Sequence, residues 1–181
     1  VDAGNFSPGS APYEEDKVTI VGRMDYFPNE QCVERFCADV LPLLQRERPG
    51  TRFQIVGAAP TARVLALGRL PGVTVTGAVP DVRPFVRRSA LTVAPLQIAR
   101  GTQNKILESM AMGVPVGCST VAARGGDAEP GQHLRVADAP ADVAAAVLGL
   151  MGDRVARARL AEAGRSRVVS HHGWTAAMQR L

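Results

Sequence analysis

Six short runs of β-branched and small apolar residues recur along this chain, the first five each separated from the next by apolar residues at helical spacing. They are VTIVG at 18–22, FQIVG at 53–57, VTVTG at 73–77, LTVAPL at 91–96, VPVGCS at 114–119 and HLRVAD at 133–138. Strands this short, with so few polar interruptions, are buried on both faces, as in parallel sheets. Between the first two runs, Val33, Phe36, Cys37, Val40, Leu41 and Leu44 form a helical stripe. Asn29 is its candidate N-cap, and Pro49-Gly50 its stop. Further helices are predicted at 61–70, 82–88, about 103–112, 140–151 and 154–170. The alternation predicts an α/β domain: a doubly wound parallel sheet of about six strands with helices on both faces. Ligands of such sheets sit at the carboxyl ends of the strands, near the point where strand order reverses. Gly22-Arg23, Gly57, Gly77 and the 98–105 loop all follow strands, so they are expected to converge on one crevice.

Composition narrows the function classes. With 181 residues, 46% hydrophobic and 21% charged, the chain has enough apolar material for one domain with its own core. No apolar run approaches the ~20 residues of a membrane span, and VDAGNFSPGS has neither the basic nor the apolar region of a signal peptide. Cys32, Cys37 and Cys118 form no CxxC pair and no zinc set, which fits a reducing, cytoplasmic setting. His133, His171 and His172 also lack metal-ligand spacing, so no metal is expected. The net charge of +4 suits a polyanion, a phosphorylated small molecule or an anionic membrane surface. Aromatics at 4% argue against stacked single-stranded nucleic acid, and no nucleic-acid partner is expected. The arginine-rich run at 154–167 reads as a solvated helix face, with peripheral contact at the inner face of a membrane as the sharper alternative. Residues 1–16, rich in Gly, Pro, Ser and acids, read as a linker to a domain at 17–170.

The chemistry concentrates in IARGTQNKILESMAMGVPV, residues 98–116. A helix N-terminus presents unpaired N–H groups and partial positive charge, a natural seat for phosphate. Gly101 lets a ligand approach the backbone closely, and Arg100 and Lys105 can add charge-assisted hydrogen bonds to a diphosphate. Glu108 lies one turn deeper on the face of Asn104 and Lys105. A carboxylate there repels phosphate but accepts hydrogen bonds from ribose hydroxyls, as in dinucleotide-binding folds. Lys105 and Glu108 fit equally well an exposed i,i+3 ion pair. Arg23, directly after a strand, reads as a surface arginine or a phosphate ligand. GxGxxG is absent, which weakens a nicotinamide or flavin reading.

Several segments together resemble one family. KILESMAMGVPV is similar to the donor-site helix of the retaining glycosyltransferases of family four, whose GT-B architecture sets two Rossmann-like domains face to face. VTIVGRMDYFPNE resembles the first strand and phosphate loop of that family's C-terminal domain. FQIVGAAP, VTVTGAVPDVRPFVRRSALTVAPL and the closing HHGWTAAMQRL match in order and spacing. MDYFPN together with IARGTQNKILESMAMG looks most like the bacterial exopolysaccharide sugar transferases associated with exosortases. VDAGNFSP resembles the end of the family's interdomain segment.

The resemblance implies the donor-binding half of a retaining glycosyltransferase. Its donor is a nucleotide-diphosphate sugar, with UDP or GDP as carrier, and its acceptor a bacterial polysaccharide or lipid-linked chain. An N-terminal acceptor domain is then missing from this chain, and residues 171–181 form a helix returning toward it. Glu108 takes the place of the second glutamate of the E-x7-E motif, which holds the ribose. Arg23 takes that of the phosphate-loop arginine; with Lys105 it stabilises the departing diphosphate. Gly22 belongs to the same loop. Gly101, Thr102, Gln103 and Asn104 offer the helix N-terminus to the pyrophosphate or sugar, and backbone near Val79 meets the base. The chain departs from the family twice: YFPN stands where a phosphate-loop lysine is usual, and Arg100 where the first glutamate is usual. No cofactor is implied. The alternatives are a non-hydrolysing UDP-sugar epimerase and a non-catalytic nucleotide-binding module.

Overall fold

The computed structural model describes residues 1–172. The helix expected at 171–181 lies outside the described residues beyond His172.

The six apolar runs become six parallel strands: β1 (Glu14–Val21), β2 (Arg52–Val56), β3 (Val73–Val75), β4 (Ser89–Ala94), β5 (Val116–Cys118) and β6 (Arg135–Val136). They form one sheet in the order β3-β2-β1-β4-β5-β6. Val18 on β1 lies opposite Phe53 on β2 and Leu91 on β4. Every residue of β4 is buried, Ser89 and Thr92 included, as expected of a central strand covered on both faces. Strand order reverses between β1 and β4, so a ligand crevice belongs at their carboxyl ends.

Helices cover both faces. On one lie α1 (Phe27–Arg35), α2 (Leu41–Glu47), α3 (Ala62–Leu67) and, beyond the short α6 (Thr120–Ala123), α7 (Pro140–Gly152), which packs on α2 and β4. On the other, α4 (Arg83–Arg87) lies near β1 and β4, and α5 (Asn104–Ala111) packs on α8 (Arg154–His172). The core is continuous through the sheet, and Phe36 stacks on Phe53 with ring centroids 4.2 Å apart.

Three local features depart from the sequence reading. The first helix begins at Phe27, capped by the backbone of Tyr26, rather than at Asn29. Pro28 in its first turn has the φ a helix start needs and no N–H to leave unpaired. Asn29 therefore lies inside the helix, buried, with its side chain free for other work. The long stripe from 29 to 48 is also not one α-helix: a π-helical turn at Phe36–Val40 joins α1 to α2. Pro42 at the start of α2 lacks the N–H that would continue the ladder, so the chain widens just before it. Thirdly, β1 starts at Glu14, inside the stretch read as linker, and Val1, Ala3, Phe6 and Tyr13 pack against the core.

The basic run on α8 is largely used inside the domain. Arg157 donates to the Ala90 carbonyl and lies 3.4 Å over the Tyr13 ring, Arg165 donates to the Ala111 carbonyl, and Arg167 pairs with Asp127.

Candidate functional site

At the switch point, the turn after β1 meets α1 and α5. Gly22 follows β1 directly, and a Cβ added there would lie 2.7 Å from Asn29 Nδ2 and 3.2 Å from Lys105 Nζ. Glycine is therefore what allows the two side chains to close on the loop. The loop after β2 comes equally near: Gly57 has φ +151°, and a Cβ on it would sit 1.7 Å from the Gly22 carbonyl oxygen. Of the segments expected to converge, Gly22, Gly57 and the start of α5 do meet here.

Asn29 joins the pieces. Its Nδ2 donates to the Arg23 carbonyl at 2.9 Å, and its Oδ1 accepts a hydrogen bond from the Lys105 ammonium. Lys105 stretches from α5 toward the end of β1, half-buried, and burial holds its pKa below the usual lysine range. The Cys32 thiol nearby is no counter-ion, because burial pushes its own pKa up to about 12. Glu108, one turn along α5, is also half-buried; burial raises its pKa, while the positive amino terminus of Val1 and Lys105 pull the other way. No ion pair joins Lys105 to Glu108 among the described residues, so the exposed surface pair considered as an alternative does not form. Sequence spacing singled out both residues but not Asn29, because Pro-Asn ahead of a helix reads as a cap.

The outer wall is open. Arg100 and Gly101 are exposed, Gly101 has φ +62°, and Gln103 Nε2 donates to the carbonyls of Arg100 (3.2 Å) and Gly101 (3.4 Å). The Thr102 hydroxyl donates to the Gly125 carbonyl at 2.7 Å, fastening the loop to the segment after α6. Gln103 caps α5 without a side-chain bond, and Asn104 opens the helix exposed to solvent. Among the described residues the Arg100 guanidinium has no partner. Arg23 is exposed too, but both sides of its fork are held by Asp25 at 2.7 and 2.9 Å. Val79 is half-buried after β3, two strands from β1. A separate cavity of about 400 Å³ opens beside the carboxyl ends of β4 to β6, lined by Arg35, Gln97, Ser119 and Asp138 among others; none of Arg23, Lys105 or Glu108 lines it.

This arrangement offers one desolvated ammonium, one half-buried carboxylate a helical turn away and a helix N-terminus, all at a Rossmann-like switch point. Among solved structures, TarM matches with a TM-score of 0.81 at 14% identity, over 96% of this chain and 36% of TarM. HepE from Anabaena, in complex with UDP-glucose, matches at 0.79 and 13% identity, over 99% of this chain and 54% of that one. The C-terminal domain of a glycosyl transferase group 1 protein, LpcC from Francisella tularensis, matches at 0.74 and 15% identity, over 96% of this chain and 99% of that domain. These likenesses establish the six-stranded GT-B type of Rossmann-like fold. No curated protein sequence matches. The sequence profile of the glycosyl transferases group 1 matches residues 15–153, from β1 to the end of α7. The matched span carries the switch-point residues Gly22, Asn29, Lys105 and Glu108 themselves, and the chain belongs to that family.

Proposed function

We propose that this chain is the donor-binding part of a retaining glycosyltransferase that takes its sugar from a nucleoside diphosphate, UDP or GDP, and passes it to a bacterial polysaccharide or lipid-linked acceptor. The observation that carries this reading is the half-buried Lys105 ammonium at the Gly22 turn, with Glu108 one turn further along α5. As the bond between sugar and nucleotide breaks, negative charge grows on the diphosphate. A preset cation with little water around it stabilises that charge more in the transition state than in the ground state, which is what accelerates the step. Lys105 provides this, with Arg23 and the N-terminus of α5 along the same diphosphate. Glu108 accepts from the ribose hydroxyls. Arg100 suits a phosphate or the carboxylate of an acidic sugar, since a cation cannot accept hydrogen bonds from sugar hydroxyls. HepE, of similar fold, was solved with UDP-glucose, which supports a donor of that class.

The chain spans 36% of TarM and 54% of HepE. Transfer then needs an acceptor-binding domain across the crevice, which positions the second reactant and excludes water. No helix among the described residues is long and apolar enough to cross a membrane; we place the protein in the cytoplasm, with peripheral contact at the inner membrane face as the alternative. A thermal-shift panel of nucleotides and nucleotide sugars tests the reading. A true donor at 100 times its Kd should add about 2.7 kcal/mol of stability, while the 181-residue chain transfers no sugar. Failure of every nucleoside diphosphate to bind sinks the donor-site assignment, and robust transfer by this chain alone sinks the two-domain part. The exposed Arg100, without a side-chain partner among the described residues, favours one second reading, a non-catalytic nucleotide-binding module. That reading gains if the full-length protein binds a nucleotide sugar without ever turning it over.

A further inference from the structure

We infer that Asn29 is a positioning residue: it holds the Lys105 ammonium at the Gly22 turn, aimed at the diphosphate, without neutralising it. The inference rests on the donor-site reading above and adds to it a residue that no motif assigns. Asn29 is only 5% exposed, and both ends of its amide are used. Nδ2 is fixed on the Arg23 carbonyl, and Oδ1 takes the Lys105 ammonium. One side chain thus ties the phosphate-side turn, α1 and α5 together. Gly22 is shaped to the same contact, because a Cβ there would press on both groups.

The chemistry of the amide explains why it suits the place. A long lysine left free in a crevice samples many rotamers, and ordering it on ligand binding costs entropy. An acceptor already in place removes that cost. A carboxylate at position 29 would fix the ammonium too, but it would cancel the charge a diphosphate needs. A neutral carboxamide accepts one hydrogen bond and leaves the full positive charge. An ammonium carries three N–H donors; among the described residues Lys105 spends one on Asn29 and has no other acceptor. The rest remain for the ligand. Burial disfavours this ammonium more than Cys32 and Glu108 favour it, and among the described residues it has no ion pair. Bound phosphate would supply one.

The structural alternative is that Asn29 merely stitches α1 to the turn after β1. Calorimetry with UDP and with uridine, or GDP and guanosine if GDP is the tighter, separates the two. The variants are Asn29→Ala, Asn29→Asp, Lys105→Met and the Asn29→Ala/Lys105→Met double. If Asn29 acts through Lys105, Asn29→Ala weakens the diphosphate about tenfold and the nucleoside less than about twofold. In the Lys105→Met background the same alanine then costs less than about twofold, because the group it positioned is gone. Asn29→Asp weakens the diphosphate at least as much as alanine while sparing the nucleoside, and it keeps the test open should Asn29→Ala fail to fold. Equal losses for diphosphate and nucleoside, or an unchanged loss in the Lys105→Met background, would overturn the inference and leave Asn29 a structural tie. If the unaltered chain binds no nucleoside diphosphate, the donor-site reading falls first and takes this one with it.

Discussion

The two ends of the sheet handle charge differently. At the amino ends of β1, β2 and β4, Glu14 meets Lys17 at 2.6 Å, Arg52 at 2.7 Å and Arg88 at 3.1 Å. Beside it Asp16 meets Arg48 at 2.5 Å, and Glu15 pairs with Arg154. A hydrogen bond from Lys17 holds the Glu14 carboxyl below the usual carboxylate range. At the carboxyl ends, Lys105 has an amide for a partner and lies near Glu108 without an ion pair to it among the described residues, and burial moves both pKa values toward the neutral forms. Arg23 at this end is also paired, with Asp25, but the half-buried Lys105 has only a neutral amide for a partner among the described residues, and a ligand can complete it. Perturbed groups in a crevice are the physical mark of a site for that reason. Substitutions at the two ends should therefore have separable consequences.

The largest effect belongs to Gly57→Ala. The residue has φ +151°, which disfavours any side chain, and the new Cβ would sit 1.7 Å from the Gly22 carbonyl oxygen, a backbone atom that cannot swing aside. We expect a loss of roughly 2–4 kcal/mol in urea denaturation, together with loss of nucleotide binding as the Gly22 turn is pushed from Lys105. A loss under about 1 kcal/mol would mean that the β1 and β2 loops are not pressed together.

Much of this was legible from the amino acids. Short apolar runs specified six strands, with the buried centre at β4, and Gly22 and Gly57 after two of them meet at the switch point. What was not legible depends on contacts distant in sequence. Asn29 and Lys105 are far apart in the chain and meet only because β1 and β4 are neighbours. Asp25 was unremarkable until its carboxylate was found holding Arg23. The π-helical turn before Pro42 was missed because its apolar stripe continues across it at nearly helical spacing. α6 is four residues long, too short for a periodic signal; it is capped by Ser119, and Asp138 accepts from the Thr120 backbone N–H and hydroxyl.

Next in size is Glu108→Ala, which should weaken nucleotide binding by about 1–3 kcal/mol, the range for losing a hydrogen bond to a charged group. Calorimetry showing unchanged UDP and GDP affinity in a folded variant would remove Glu108 from the site. Its pH signature is distinct as well. A carboxyl whose folded pKa is raised contributes stability that is present below about pH 4.5 and lost as pH rises through the folded value. Glu108→Gln should therefore gain on the parent chain as pH climbs from 4 toward neutrality. A parallel course of the two profiles would show the carboxylate to be better solvated than its burial implies.

The smallest effect, and the one that tests the other end of the sheet, is Glu14→Gln. Of its cationic partners Lys17 is largely covered, whereas Arg52 and Arg88 form surface pairs with it, each arginine side chain more than half exposed. Such pairs contribute about 0.2–1 kcal/mol each at most, and less in salt. We expect a stability loss of about 1 kcal/mol at low ionic strength, shrinking at 0.5 M salt, with nucleotide affinity unchanged. The pH dependence has the opposite sign to that of Glu108. Because the folded pKa of Glu14 is lowered, its stabilisation is present above about pH 4.5 and lost as pH falls through the folded value. The glutamine variant should thus converge on the parent chain in acid, where the Glu108 variant does so as well but from the more stable side. If Glu14→Gln instead altered nucleotide affinity, the two ends would be coupled through β1, and the division of labour along the sheet would have to be abandoned.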